Sequence, residues 1–164
     1  MLVMGTGTVG LIIARNFSLR PQQLRHLKSA LQMLETEVLF GLTPLPLGLQ
    51  RVGKKMAFPI NKLFEITGDY LNRGEGLTAG EAWEIALKEL EQESALLPED
   101  LDILLYFGQS LGGSDREEQY KNFKLVQEHL KNAEDKAERL KAKNAKIWKY
   151  LGFSFGGVIA LILL

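Results

Sequence analysis

Small or apolar side chains in the last third of the chain recur at alternating steps of three and four: Phe123, Val126, Leu130, Ala133, Ala137, Leu140, Asn144, Ile147 and Leu151. That spacing is a narrow helical seam at near-heptad period, with charged residues on the other faces. Gly112-Gly113 breaks whatever comes before it, and Ser114-Asp115-Arg116-Glu117 reads as a capping box. No Gly or Pro interrupts the run before Gly152, where the chain continues into thirteen uncharged residues ending at Leu164. The pattern predicts one helix that packs, leaves the packed part and enters a membrane.

The rest of the chain reads as shorter helices of the same kind. Leu24, Leu27, Leu31, Leu34 and Val38 form a second seam that ends near Gly41. Pro21 either opens that helix or distorts one continuing from Met1–Ala14. Thr43-Pro44 has the cap-then-proline order of a helix start, followed by Leu45, Leu49, Val52 and Met56 on one face. After Pro59, an inward face of Ile60, Leu63, Phe64, Thr67, Tyr70 and Leu71 closes at the Arg73-Gly-Glu-Gly76 turn. Thr78-Ala-Gly-Glu81 is a second capping box, ahead of Trp83, Leu87 and Leu90. Pro98 starts a further helix with Leu101, Leu104, Leu105, Gly108 and Leu111. No segment sustains period-two alternation, so the fold class is all-α. The expected architecture is a six-helix cytoplasmic bundle, residues 19–146, whose long first and last helices run into transmembrane segments at residues 1–18 and 147–164.

Charge changes this picture only when divided along the chain. The formal net charge is zero, but residues 1–34 hold four basic side chains and no acid. Residues 139–164 hold five basic side chains and no acid, whereas residues 35–138 carry 11 basic against 20 acidic. Arg15 and Arg20 on one side, and Lys143, Lys146 and Lys149 on the other, form collars bordering the two apolar ends. By the positive-inside rule the centre is cytoplasmic and both termini face the far side. Each apolar end is short for a span, since fourteen helical residues rise about 21 Å against a hydrocarbon core of about 30 Å. At the C-terminal end Ile147, Trp148 and Tyr150 extend the stretch, with the two aromatics at interface depth. A signal peptide is disfavoured because positive charge follows the N-terminal apolar run instead of preceding it.

Candidate chemistry is sparse. The absence of Cys removes disulfides, thiolate metal sites and Cys nucleophiles. Gly5-Thr-Gly-Thr-Val-Gly10 matches a dinucleotide fingerprint on paper, yet it lacks a preceding strand and an acid about 20 residues on. Small residues in a helix that packs on another helix explain it better. His26 and His129 form no metal-binding pair. The carboxylates at Glu99/Asp100/Asp102 and Glu117/Glu118 sit at helix N-termini, where the macrodipole favours acids. No catalytic residue, metal site or cofactor is expected, and the basic collars need no nucleic-acid partner to explain them.

Two patterns concern partners. Nine acids and a single base, Lys88, lie between Glu75 and Asp102. They make either a solvated helical surface or a docking face for a basic partner, in which Glu81, Glu84, Glu91, Glu93, Glu99 and Asp102 would be the contacts. In the last helix Gly152, Gly156 and Ala160 form small-xxx-small steps that allow close approach of another helix. That helix would be the chain's own first span or one from a second protomer, so a homo-oligomer is allowed. Asn144 either fixes register in the seam or is exposed where the helix leaves the bundle.

Several stretches carry a family resemblance. Glu37-Val-Leu-Phe-Gly-Leu-Thr-Pro-Leu45, Ala82-Trp83 and Phe107-Gly-Gln-Ser-Leu-Gly-Gly-Ser-Asp115 with Gln119 resemble the stage III sporulation protein AB family. So do Arg20-Pro-Gln-Gln-Leu24 and Lys146-Ile-Trp-Lys-Tyr-Leu-Gly152. The resemblance covers nearly the whole chain in order, although the N-terminal apolar stretch is shorter than the family's first span. It implies an integral membrane protein of endospore formers, in the outer forespore membrane with its central domain facing the mother-cell cytoplasm. It also implies similarity to the cytoplasmic domain of type II secretion and type IV pilus platform proteins. The implied role is non-enzymatic, in the channel between mother cell and forespore. The implied partners are a secretion-type ATPase, stage III sporulation protein AA, and other channel components. The rival expectation is a membrane-tethered helical sensor or signalling adaptor.

Overall fold

The computed structural model describes the backbone of residues 2–164 and the side chains from residue 15 onward. Six α-helices, with no strand among the described residues, follow in order: α1 (Leu2–Glu35), α2 (Leu45–Lys55), α3 (Ile60–Asn72), α4 (Ala79–Glu93), α5 (Pro98–Gln109) and α6 (Arg116–Leu163). A π-helical turn, Thr36–Phe40, extends the end of α1. The expected N-terminal span falls largely on residues 1–14, whose side chains lie outside the described residues.

The two seams meet. Leu24, Leu27, Leu31 and Leu34 of α1 are fully buried, as are Phe123, Val126, Leu130, Ala133 and Ala137 of α6 or nearly so. The helices run antiparallel, as the side-chain bonds between them show. Gln127 donates to Glu35 at the end of α1, while Arg25 reaches Glu134 and Glu138 further along α6. Of the two readings of Pro21, the structure adopts the continuous helix, with the proline inside α1 and buried. Its missing N–H breaks one ladder bond, but packing of the following seam on α6 holds the helix together.

At the centre, the Trp83 indole is fully buried and donates through Nε1 to the Leu104 carbonyl at 2.8 Å. Phe64 and Phe107 present their edges to it, each with ring centroids 5.6 Å away, and Phe123 follows at 5.1 Å from Phe107. This aromatic chain joins α3, α4, α5 and α6 in one core. Gly108 is required here, because a Cβ at that position would overlap the indole.

Three local expectations need correction. The cap of α6 is Asp115, whose carboxylate accepts the Glu118 N–H, and Ser114 instead donates to the Ser110 carbonyl. Thr43 does not cap α2, since its hydroxyl donates to Glu37 across the α1–α2 turn. The α6 seam is covered only as far as Ala137: Leu140, Ile147 and Leu151 are exposed and Asn144 is half-buried. An antiparallel seam needs a facing stripe, and the described stripe on α1 ends at Leu24. Beyond it α6 continues without a break to Leu163, and it is long and apolar enough to cross a membrane, with none of that apolar window buried in the bundle.

Candidate functional site

Helices α4 and α5 form a hairpin whose outer groove gathers part of the predicted acidic face. The Thr78 hydroxyl accepts the Glu81 N–H and the Glu81 carboxylate accepts the Thr78 N–H, so this capping box fixes where α4 begins. Glu84, Lys88 and Glu91 then follow at helical spacing along one face. Asp102 approaches from α5 over a floor of Leu87, Leu101 and Leu105, and together these residues line an open groove of about 210 Å³. Glu84, Glu91 and Asp102 are exposed and form no ion pair among the described residues.

The other predicted members are not brought together with them. Glu81 is engaged in its cap, and Glu93 is exposed at the end of α4 outside the groove. Glu99 lines a separate cleft between α5 and α6 with His129, Asn132 and Lys136. Of the six acids, Glu84, Glu91 and Asp102 therefore share the groove, and Glu81, Glu93 and Glu99 lie outside it.

Asp100 and Arg20 correct the reading of both charge patterns. Asp100 is fully buried, and Arg20 donates to it through Nε at 2.8 Å and Nη2 at 2.9 Å. The same carboxylate accepts the Leu97 N–H at 2.8 Å, closing the first turn of α5. These hydrogen bonds keep the guanidinium pKa above its ordinary value, although burial works against the charge. Arg20 is thus no exposed collar cation but a bolt between α1 and α5. Arg15, Lys143, Lys146 and Lys149 are exposed.

A second ionic clamp joins α1 to α6. Glu134 accepts from Arg25 at 3.0 Å and from Lys28 at 2.8 Å, and Glu138 accepts from Arg25 at 2.8 Å. Burial pushes the Glu134 carboxyl up, but the hydrogen bonds from Lys28 and Arg25, with their charges, outweigh it and hold it below the usual range. Glu35 closes the far end of the pairing, accepting from Gln127 at 2.7 Å with Lys124 Nζ 3.3 Å from its other oxygen. Sequence reasoning missed these pairs, which join residues 80 or more positions apart. The available signal was position: Glu134 sits directly beside the Ala133/Ala137 seam, and Asp100 is the third residue of a proline-started helix.

Gly152, Gly156 and Ala160 lie along one exposed side of α6, and no described residue comes within 4 Å of a Cβ built at either glycine. Among the described residues no group of three or more His, Asp or Glu side chains is placed to hold a metal ion. What the arrangement offers chemically is docking: an acid-rimmed groove on a bundle whose two longest helices are clamped antiparallel.

Compared with known proteins, residues 1–164 match the family described as stage III sporulation protein AB. The stage III sporulation protein AB of Bacillus subtilis (strain 168) is 38% identical over 163 residues, covering 99% of this chain and 95% of that one. A solved structure of stage III sporulation protein AB superposes with a TM-score of 0.72 at 38% identity, covering 76% of this chain and 98% of that chain.

Proposed function

This chain belongs to the stage III sporulation protein AB family, and on that premise we propose that it is a non-enzymatic membrane platform of the channel between mother cell and forespore. The platform holds a cytoplasmic bundle, residues 19–146, against the outer forespore membrane through segments 1–18 and 147–164. It couples a secretion-type ATPase, stage III sporulation protein AA, to the membrane components of the channel.

The observation that carries this reading is the antiparallel clamp. Arg25 and Lys28 of α1 bind Glu134 of α6, which sets the start of α1 and the part of α6 that leaves the bundle at the same end. Two continuous helices tied side by side transmit a push or a twist better than a loop would, although α1 lacks the ladder bond that Pro21 cannot make. The α4–α5 groove supports a basic partner, since three unpaired carboxylates over an apolar floor favour a segment carrying Lys or Arg beside apolar residues.

The test is binding of the purified ATPase to the full-length chain in lipid nanodiscs. Saturable binding that weakens with salt, and falls about tenfold or more in the Glu84→Lys/Glu91→Lys variant, is the expected result. A folded chain that does not bind the ATPase at any salt concentration contradicts the platform reading.

A further inference from the structure

The pairing of α1 with α6 has a fixed register. Gln127 with Glu35 and Glu134 with Lys28 each join positions whose numbers add to 162, and Glu138 with Arg25 join positions that add to 163. Both helices advance about 1.5 Å per residue, so two that run antiparallel side by side keep that sum along their length. Stepped back from Leu24 by four and three in turn, as the buried leucines are spaced, the α1 stripe continues through Arg20, Phe17, Ile13, Gly10, Thr6 and Val3. Stepped forward from Ala137 in the same way, the α6 seam continues through Leu140, Asn144, Ile147, Leu151, Ser154 and Val158.

The first of these steps opens the seam. Arg20 takes the stripe position, but its guanidinium is bound to Asp100 on α5, and Leu140 is 42% exposed. One step further, Phe17 and Asn144, whose numbers add to 161, are both half-buried. Beyond them the seam remains the less exposed side of α6. Ile147, Leu151 and Val158 are 47%, 45% and 54% exposed, against 67% for Tyr150 and 87% for Phe153 on other faces. The lysines at 141, 143, 146 and 149 all fall off the seam. Gly152, Gly156 and Ala160 fall off it too, at about 100°, 140° and 180° round the helix from Leu151.

We infer that residues 2–14 close on the exposed α6 seam of their own chain, with Ile13, Gly10, Thr6 and Val3 at the register positions facing Ile147, Leu151, Ser154 and Val158. Continuity selects this occupant. The same two helices already share the buried seam from Leu24 to Leu34, and residues 2–14 are long enough to carry its register as far as Val158. Gly10 and Thr6 are small where Leu151 and Val158 are large, which lets the helices approach closely. The small-residue steps at Gly152, Gly156 and Ala160 are thereby turned away from the chain's own first helix, and do not pack on it. No ATPase contact enters this pairing, so it stands apart from the platform reading.

Disulfide trapping in the full-length chain tests it without background, because the chain has no Cys. In lipid nanodiscs, Thr6→Cys/Ser154→Cys should form an internal disulfide on mild oxidation with copper phenanthroline, seen as a shift of the monomer band that reductant reverses. Gly10→Cys/Leu151→Cys should do the same, so the result does not hang on one pair. Thr6→Cys/Gly156→Cys, at a similar height on another side of α6, should lose most of that shift. Equal cross-linking of the Gly156→Cys pair overturns the inference. No disulfide in either seam pair leaves the seam to lipid, and also overturns it. Cross-linked dimers in place of the internal disulfide make a second copy the occupant, with the same consequence.

Discussion

Asp100 shows how much one residue can tie together. Its carboxylate takes two bonds from Arg20 and one from the Leu97 backbone, all out of water. Removing it leaves a guanidinium buried without its partner, whereas replacing both members with apolar residues leaves only the part-buried Leu97 N–H without its acceptor. Asp100→Ala is therefore expected to destabilise the folded chain by about 3–5 kcal/mol. Arg20→Met/Asp100→Leu should recover most of that loss. Thermal unfolding of the full-length chain in detergent, followed by circular dichroism, checks both. A double variant as unstable as the single one would show that the geometry of the ion pair, and not the orphaned charge, holds α5 on α1.

At the scale of elements, α1 and α6 owe their register to a leucine stripe and their alignment to ions. The Glu134 carboxyl titrates below its ordinary range because Lys28 and Arg25 bind its charged form. A depressed folded-state pKa contributes stability that is fully present above the unfolded value, about 4.3, and is lost as pH falls through the folded value. The acid limb of the stability curve below about pH 4.3 should thus flatten in Glu134→Gln. At neutral pH that variant should be less stable by about 1–3 kcal/mol, the worth of hydrogen bonds to a charged group. Denaturant unfolding at stepped pH values measures this, and an unchanged acid limb would remove Glu134 from the clamp.

The helices themselves were legible because their apolar positions repeat at helical spacing and their ends carry glycine, proline and capping residues. Thr78 with Glu81, Trp83 and the Phe123-to-Ala137 stripe could all be read in this way. The ion pairs could not, since Arg20 and Asp100 lie on elements whose packing is decided by the whole fold. Arg20 read as a membrane collar because an arginine near an apolar run looks the same whether it faces lipid headgroups or a carboxylate. The helix caps slipped by one residue at Ser114 because Asp115 offers the same acceptor chemistry one position later. Leu42, whose backbone is left-handed with φ +52°, escaped notice because periodicity is silent about backbone strain at a helix end.

The whole molecule is organised by where its ends go. The clamp sets α1 and α6 antiparallel, and α6 leaves the bundle through a basic stretch into thirteen uncharged residues. Because the chain has no Cys, a single introduced thiol reports its own position without background. The decisive measurement is labelling of single-cysteine variants with a membrane-impermeant maleimide, in intact cells and in inverted vesicles. The account predicts that Gln92→Cys, on the bundle, reacts only in inverted vesicles and that Ser154→Cys, in the apolar end of α6, reacts in neither. Free labelling of Ser154→Cys from either side, or labelling of Gln92→Cys in intact cells, would contradict a cytoplasmic bundle held to the membrane through α6.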